Sequence, residues 1–409
     1  MDTQLLLPGS SSFPSWQLWT YWKDPLDFLS DLANKYGDLA QFRVGPRRIY
    51  LVNHPDYIEN ILEGDQACFT KGVSAFESEM AYPTHARLSC QDILGFQGLD
   101  RFELGLDDQR LADCESTAVV AALRVSDRWE NLQSVNVRKE MRRLVIRSLA
   151  ETFFGECDDE RLEQLERMTA QLRPDPLAME FPLAGRLRRL RFSKYKSGMM
   201  ENTELQHITI PCLVVCQTLA DSLAWTLRLL AEHPDVLASL HSELDCFLMG
   251  LAPTLNDLER LVYARMVMAE VLRLYPPVRV IRRLVIRDLS LDDYMIPATA
   301  EVLISPWVMQ RDPRYYPEAG RFDPQRWTPA SISGRPRYAY LPFGGGARAC
   351  PGEEFVWVTA SLTLATLAQR WQFQLMPGKA KHLKTKTSRW PKNGARLQIQ
   401  RRASNSYRL

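Results

Sequence analysis

A cysteine that could act as a nucleophile or a metal ligand lies in a glycine-rich segment near the C-terminal end of the chain. The segment YLPFGGGARACPG, residues 340–352, places three consecutive glycines and Arg348 just before Cys350. Glycine-rich turns serve phosphate cradles, zinc knuckles, nucleophile elbows and loops that ligate haem. The surrounding residues must therefore decide which chemistry this loop carries.

The flanking sequence argues against three of these sites. A phosphate loop needs Gly-Lys-Ser or Gly-Lys-Thr after the glycines, and a dinucleotide loop needs a βαβ unit. A hydrolase elbow needs a serine nucleophile and a later histidine, and His382 is the only histidine after the loop. The eight cysteines show no paired CxxC spacing and no histidine pair nearby, which argues against a zinc site and a disulfide framework.

The remaining interpretation is an axial ligand for a haem iron. Pro351 directly follows Cys350 and suits the first position of a helix, so the thiol should face the positive end of the helix dipole. That position should favour thiolate, and the glycines let a flat ligand approach the backbone. Arg348 could pair with a propionate carboxylate. The alternative for an isolated cysteine is a free thiol buried in a turn.

The loop resembles a known signature. Phe343, Gly346, Arg348, Cys350 and Gly352 fill the pattern F-x-x-G-x-R-x-C-x-G, which is similar to the haem-binding signature of the cytochrome P450 family. The resemblance implies haem b (iron protoporphyrin IX) as the cofactor. It also implies that Cys350 is the axial iron ligand and that the other four residues belong to the cofactor-binding loop.

Further segments support the same resemblance. AEVLRLYPPV supplies Glu270 and Arg273, similar to the E-x-x-R pair of the family, and RFDPQRW supplies Arg326, similar to the third member of its ion-pair triad. Positions i and i+3 share one helix face, so Glu270 and Arg273 should pair and meet Arg326. By the same resemblance, Arg283 should bind a haem propionate. An isolated E-x-x-R would otherwise be a solvated helix face.

The resemblance extends over roughly residues 20–70 and 130–400, and it implies a triangular, mostly helical haem domain. Periodicity agrees with this fold class, which is mainly α with a small β portion in a single domain over 1–409. It predicts a helix ending at Gly37, then a hairpin around residues 45–46 and a second helix after Pro55. It also predicts a buried helix from Pro211 to His233, a helix closed by two prolines at 276–277, a helix over 353–370 and a strand near 397–402.

The long helix departs from the family pattern. Where the family usually shows a small residue, glycine, any residue, an acid and threonine, this chain has VVCQT, with Gln217 at the acid position and Thr218 at the alcohol. The resemblance implies that Thr218 and Gln217 are the catalytic residues of oxygen activation. A glutamine cannot exchange a proton as a carboxylate can. Alternatively, Thr218 bonds to a carbonyl one turn earlier.

Two further departures affect the haem and the substrate pocket. The family's Trp and Arg that contact a propionate are absent in register from residues 93–116, so haem retention should depend more on Arg283 and Arg348. The stretch between residue 155 and the long helix is short, which predicts an open distal face for a bulky or carrier-bound substrate. Residues 185–196, GRLRRLRFSKYK, form a basic segment there, which we interpret as a solvated face rather than a contact for an acidic partner.

Composition limits the partners. The 51 basic and 49 acidic residues nearly balance, so no general attraction to nucleic acid is expected. The N-terminal residues show neither a signal peptide nor a membrane span, and the unpaired cysteines suit a reducing cytoplasm. No flavin or iron–sulfur motif is present, so electrons should come from a ferredoxin or flavodoxin with its reductase. We expect a monomer.

The leading hypothesis is a haem-thiolate oxidoreductase: a monooxygenase or oxidative coupling enzyme that acts on an apolar organic substrate in specialised metabolism. Val214, Val215, Val278, Val280 and Ile281 are candidate pocket walls. An alternative is an isomerase, dehydratase or peroxide-driven enzyme that needs no redox partner. The presence of Gln217 in place of an acid favours this alternative. A further alternative is a non-catalytic scaffold with the same fold.

Overall fold

The computed structural model describes residues 24–44, 47–64, 66–70, 108–154, 203–350, 352–376 and 396–402, together with a few residues between 160 and 166. Helices account for most of these ranges. They are α1 Pro25–Tyr36, α2 Pro55–Glu63, α3 Asp108–Ser126, α4 Val137–Phe154, α5 Thr203–Glu232, α6 Pro234–Leu248, α7 Val262–Leu274, α8 Pro306–Met309, α9 Pro329–Ile332 and α10 Glu353–Arg370.

The strands are short and fall into three groups. They are β1 Leu39–Val44, β2 Arg47–Val52, β3 Phe69–Thr70, β4 Ser134–Asn136, β5 Ile281–Val285, β6 Leu289–Leu291, β7 Tyr294–Ile296, β8 Glu301–Ile304, β9 Trp371–Leu375 and β10 Arg396–Arg401. The fold is therefore mainly α with a small β portion, which confirms the prediction of the fold class.

The N-terminal elements follow the predicted signals. The side chain of Asp24 caps α1 by accepting from the Asp27 N–H at 3.3 Å, and Gly37 ends the helix with a φ of 81°. Strands β1 and β2 then pair as an antiparallel hairpin, with Leu39 opposite Val52. Helix α2 begins at Pro55, as predicted.

The largest sheet carries residues of the candidate site. Its strand order is β1-β2-β8-β5-β3, in which β2 and β8 are parallel and the other pairs are antiparallel. Helix α2 packs with this sheet in one hydrophobic core that includes Ile58, Ile61 and Leu62. Since β3 pairs with β5, the short strand at Phe69 lies beside the strand that contains Arg283.

The helices form a second, larger core around α5. This helix contacts α4, α7 and α10, and α10 also contacts α3. The prediction that α5 begins at Pro211 is wrong, because the helix begins at Thr203 and Pro211 lies inside it. A proline inside a helix removes one backbone hydrogen bond, and the neighbouring turns hold the helix. The end of α5 before Pro234 and the span of α10 agree with prediction.

Buried side chains fix α10 and α4 in the helical core. Leu362, Leu364 and Leu367 of α10 are fully buried, so this helix crosses the core rather than lying on the surface. Met141 and Leu144 of α4 are buried in the same core. The segment after the glycine loop is therefore fixed by packing on several sides.

Candidate active site

The glycine loop has a backbone that only glycine fits. Gly344 and Gly346 have φ values of 76° and 65°, in the left-handed region that disfavours side chains. A β-carbon at Gly346 would lie 1.8 Å from the carbonyl oxygen of Leu62, and one at Gly345 would lie 2.4 Å from the Tyr338 ring. The loop therefore packs directly against the end of α2.

Cys350 lies between this loop and α10. Its backbone N–H donates to the carbonyl of Phe343 at 2.8 Å, which closes the loop, and the Phe343 ring packs against Trp357 with a centroid distance of 5.9 Å. Gly352 caps α10, whose first residue is Glu353. Cys350 thus precedes the cap by two residues.

Burial determines the direction in which the pKa of Cys350 shifts. It raises the pKa of the thiol, and the negative charge of Glu353 adds to this shift, whereas the backbone N–H of Gly352 lowers the pKa. The N–H at the start of α10 thus acts in the direction predicted from the helix terminus, but desolvation outweighs it. Coordination to a metal ion would ionise such a thiol directly.

Arg283 and Arg348 are neighbouring cations, of which Arg283 is buried and Arg348 is half-buried. Arg283 lies on β5, and burial followed by the positive charge of Arg348 lowers the pKa of Arg283 to about 10. The Nε of Arg283 and the Nη1 of Arg348 are buried without hydrogen-bond partners among the residues that the structure describes. Arg348 Nη2 donates to the Phe69 carbonyl at 3.5 Å.

These observations fit a haem. Two neighbouring guanidinium groups with free N–H donors match the two carboxylates of the porphyrin, and burial of like charges is costly unless an anion joins them. At Gly344 a β-carbon would meet no described atom closer than 3.9 Å, so the loop leaves space there for a flat ligand, and Cys350 supplies one thiol next to it. Across the described ranges, no group of three or more His, Cys, Asp or Glu side chains could hold a metal ion directly.

The predicted triad is assembled around a buried carboxylate. Arg273 donates to both oxygens of Glu270 at 2.8 and 2.7 Å, and Arg326 forms an ion pair with Glu270 at 3.6 Å. Trp327 Nε1 donates to Glu270 at 3.0 Å, and the Asp323 N–H donates to it at the same distance. The prediction that Glu270 and Arg273 pair and meet Arg326 is confirmed.

The triad is connected to the cysteine loop. Arg273 donates to the carbonyls of Gln310 and Ala319 at 2.8 Å each. Gln310 in turn donates to the carbonyl of Arg273 and accepts from the N–H of Leu341 at 3.0 Å. The C-terminal end of α7 is thereby joined to the residues that lead into the glycine loop.

Gln217 lies on α5 in a polar contact that the sequence did not predict. Its Nε2 donates to Asp221 at 2.8 Å, and Arg138 of α4 donates to both oxygens of Asp221 at 2.7 and 3.0 Å. The Oε1 of Gln217 is buried without a hydrogen-bond partner within the described part of the chain. Gln217 therefore presents its amide oxygen as an acceptor, since an N–H of its amino group is directed at Asp221.

The other predicted site residues are partly accounted for. Thr218 is half-buried on α5, and its carbonyl accepts from the Ser222 hydroxyl at 2.9 Å. Of the candidate pocket walls, Val280 is buried in the helical core, Ile281 packs against the sheet core and Val278 is 45% exposed. The side chains of Val214 and Val215 lie outside the described residues. So do the basic segment 185–196, the shortened stretch after residue 155 and most of residues 93–116.

Comparison with known proteins decides the family. The sequence model described as "Cytochrome P450" matches residues 195–399, just over half of the chain. The chain belongs to the cytochrome P450 family. The matched span includes α5, the Glu270 triad and the Cys350 loop, and the family implies a haem-iron cofactor.

Similarity to curated proteins covers most of this P450. It is 29% identical to "Cyclooctatin synthase" of Streptomyces melanosporofaciens, over 87% of each chain. It is 27% identical to "Pentalenene oxygenase" of Streptomyces avermitilis, over 88% of this chain and 89% of the relative. It is 26% identical to "Cyclooctat-9-en-7-ol 5-monooxygenase" of Streptomyces melanosporofaciens, over 91% and 93%.

These relatives show that the P450 is an enzyme, an oxidoreductase of the monooxygenase type. The scaffold alternative is therefore not retained. No helix within the described ranges is both long and apolar enough to cross a bilayer.

Several supporting residues escaped sequence reasoning. Trp327 directly follows Arg326 and could have been noted from its place in FDPQRW, but Gln310 carried no motif. Asp221 lies one helical turn after Gln217, a spacing that does permit contact. Its partner Arg138 is distant in sequence, so only the packing of α4 on α5 reveals it.

Proposed function

We propose that this P450 holds haem b with Cys350 as the axial ligand of the iron and with Arg283 and Arg348 as the partners of the propionates. The observation that carries the proposal is the pair of neighbouring guanidinium groups of the buried Arg283 and the half-buried Arg348, each with an N–H donor that no described residue accepts. Phe343, Gly346 and Gly352 would shape the loop, through the Phe343 carbonyl, the contact with α2 and the cap of α10.

A bound haem iron would supply dioxygen activation and transfer of one oxygen atom to the substrate. The protein's contribution begins with Cys350, whose thiolate would receive the hydrogen bond of the Gly352 N–H. The Thr218 hydroxyl would donate a hydrogen bond to a water or a substrate oxygen at the proposed oxygen-activation site, and the Gln217 Oε1 would accept one from a water or a substrate hydroxyl. One N–H of the Gln217 amino group donates to Asp221, which turns the amide oxygen away from that carboxylate.

The proposed substrate is an apolar cyclic alkene or an alcohol derived from one. The support is that two relatives are named for pentalenene and for cyclooctat-9-en-7-ol. Oxygen insertion is the reaction that we favour for this chain over oxidative coupling, since those two relatives are named as an oxygenase and a monooxygenase.

The proposed electron source is a ferredoxin or flavodoxin with its reductase, acting on a monomeric, single-domain protein in the cytoplasm. A carrier-bound substrate stays a prediction, because the shortened region that motivates it lies outside the described residues. If peroxide supports turnover and no ferredoxin or flavodoxin does, the electron-transfer part of the proposal is wrong.

The substrate proposal is tested by titrating the haem-loaded protein with pentalenene and cyclooctat-9-en-7-ol. Displacement of water from the iron shifts the Soret absorption, so binding is visible without turnover. Products are then analysed with a surrogate ferredoxin and reductase. A Soret shift and a product one oxygen atom heavier support the proposal, whereas the absence of both with every apolar cyclic alkene would contradict it.

Peroxide-driven turnover is the second candidate, and Gln217 favours it because no carboxylate occupies that position. Replacing Gln217 with Glu separates the two functions. A monooxygenase that lacks an efficient proton path should gain turnover with dioxygen and a redox partner. A peroxide-driven enzyme, or an isomerase or dehydratase, should gain nothing.

A further inference from the structure

An ion pair beside α5 contacts a side chain of the proposed oxygen-activation site. Asp221 accepts one hydrogen bond from Gln217 and two from Arg138, at distances of 2.7 to 3.0 Å. The side chains of Arg138 and Asp221 are 31% and 23% exposed, so the pair lies at the boundary between the core and solvent. It also joins α4 to α5.

The charge of Asp221 decides how the Gln217 amide is oriented. A carboxylate can only accept hydrogen bonds, so it selects the amino group of Gln217 and rejects the amide oxygen. Arg138 holds the carboxylate of Asp221 in place through two parallel N–H donors. The oxygen of Gln217 is left on the other side of the amide, buried and unpartnered among the described residues.

A buried amide oxygen such as Gln217 Oε1 is destabilising unless it accepts a hydrogen bond. Because water and an alcohol substrate both carry O–H groups, an O–H donor suits an acceptor beside their binding site. In the opposite orientation, the Gln217 amide would present its amino group instead of its oxygen. An N–H donor there would stabilise negative charge on a ligand, whereas the amide oxygen, as an acceptor, would orient a hydroxyl group.

We propose that Asp221, held by Arg138, is a positioning residue that turns the Gln217 amide so that its oxygen, not its amino group, faces the ligand side. The group it orients there is an O–H donor, either a water molecule or a substrate hydroxyl. The inference rests on the proposed function, since it assumes that Gln217 lies beside the haem ligand.

The test uses carbon monoxide bound to the reduced, haem-loaded protein, and the readout is the infrared C–O stretching frequency. An N–H donor near the oxygen of carbon monoxide draws electron density toward it, which weakens the C–O bond and lowers the frequency. In Asp221→Asn, the new amide can donate to the Gln217 oxygen, so the Gln217 amide can turn over and present its amino group. We expect the C–O frequency to fall.

Two controls make the result specific. In the Gln217→Leu background, Asp221→Asn should leave the C–O frequency unchanged, because the residue through which Asp221 acts is gone. Glu166→Gln removes a comparably exposed ion pair with Arg143, which also lies on α4, and should leave the frequency unchanged.

A third variant, Arg138→Gln, keeps the Asp221 carboxylate but holds it less firmly, so the C–O band should broaden toward lower frequency.

Water and substrate are distinguished by a solvent-isotope comparison. If the Gln217 oxygen accepts from water, the C–O band of the substrate-free protein shifts in heavy water, and Gln217→Leu abolishes that shift. If it accepts from the substrate, an alcohol substrate moves the band and the matching alkene does not.

An unchanged frequency in Asp221→Asn would overturn the inference, as would a fall that persists in the Gln217→Leu background. Either result with a normal thiolate-type Soret band leaves the proposed function intact. A wild-type protein that lacks the thiolate-type band would contradict the proposed function itself, so the two failures are distinguishable.

Discussion

The backbone of Gly346 lies against the carbonyl of Leu62 so closely that a β-carbon there would come within 1.8 Å of the oxygen. This contact joins the cysteine loop to α2, which packs on the largest sheet. Since β5 of that sheet carries Arg283, the contact helps to hold the ligand loop and a predicted propionate partner in one frame.

Gly346→Ala should therefore disrupt both folding and haem binding. The left-handed φ costs about 1–2 kcal/mol, and the clash with backbone atoms adds about 1–3 kcal/mol. Gly334→Ala is the matched control, because its φ is 81° and no atom of the described residues lies within 4 Å of the added carbon. Urea unfolding should show the larger loss for Gly346→Ala, together with reduced haem content. Equal losses in the two variants would contradict the contact.

Glu270→Gln should strongly destabilise the protein. Arg273 is fully buried and has Glu270 as its only ion-pair partner within the described residues, so removing the carboxylate leaves a buried charge uncompensated. A loss of about 3–5 kcal/mol in the free energy of unfolding is expected. The Glu318→Gln variant removes a comparable pair with Arg321 at an i,i+3 spacing, but that pair is exposed, so it should lose less than about 1 kcal/mol. Similar losses in the free energy of unfolding for the two variants would contradict a larger stabilising contribution from the buried triad.

Arg283→Met should have opposite effects on the protein and on its cofactor. Without haem, the variant should be as stable as the wild type or more stable, because it removes a buried charge that the neighbouring Arg348 repels. Haem affinity should fall about 10- to 100-fold, the value of one or two charge-assisted hydrogen bonds.

Arg282→Met is the control: Arg282 pairs with Glu301, so its loss should lower stability. Thermal unfolding and haem titration measure the two effects. Parallel losses of stability and affinity in Arg283→Met would contradict the propionate role.

The stability of the fold should decrease in mild acid through His241. Burial, followed by the positive charge of Arg402, lowers the pKa of His241 from 6.5 to about 4. Between these values the unfolded chain binds more protons than the folded one, so stability falls as pH decreases from about 6.5 toward 4. From pH 7 to pH 5 the contribution is about 2 kcal/mol.

Urea unfolding at pH 7 and pH 5 checks this prediction. Other groups also titrate in this range, so the comparison is with His241→Gln, whose stability should fall by about 2 kcal/mol less over the same interval. The same decrease in both proteins would show that His241 is not the group responsible.

Local sequence signals located much of the fold. Glycine after α1, proline before α2 and two prolines after α7 marked the ends of those elements because each residue restricts the backbone by itself. Pro211 misled the prediction for α5, since a helix that packs against α4, α7 and α10 can include a proline that an isolated helix would exclude. Tertiary packing, which local signals do not carry, determined that boundary.

The site was predictable to the extent that motifs name its residues. Cys350, Arg348 and the Glu270 pair were identified by their resemblance to motifs of the family, and Trp327 lay next to a residue already identified. The raised pKa of Cys350 was not predictable, because it depends on how completely the thiol is buried. The contact between Gln217 and Asp221 could not be predicted because it depends on the rotamers of both side chains. Arg138, which binds Asp221, is 83 residues away in sequence, so no local pattern indicates that pairing.

The central claim is that Cys350 ligates a haem iron as a thiolate. The most direct measurement is the absorption spectrum of the purified, haem-loaded protein, reduced and exposed to carbon monoxide, next to Cys350→Ala. We expect a red-shifted, thiolate-type Soret band in the wild type that disappears in Cys350→Ala. A wild-type protein that takes up no haem, or a band that persists without Cys350, would contradict it.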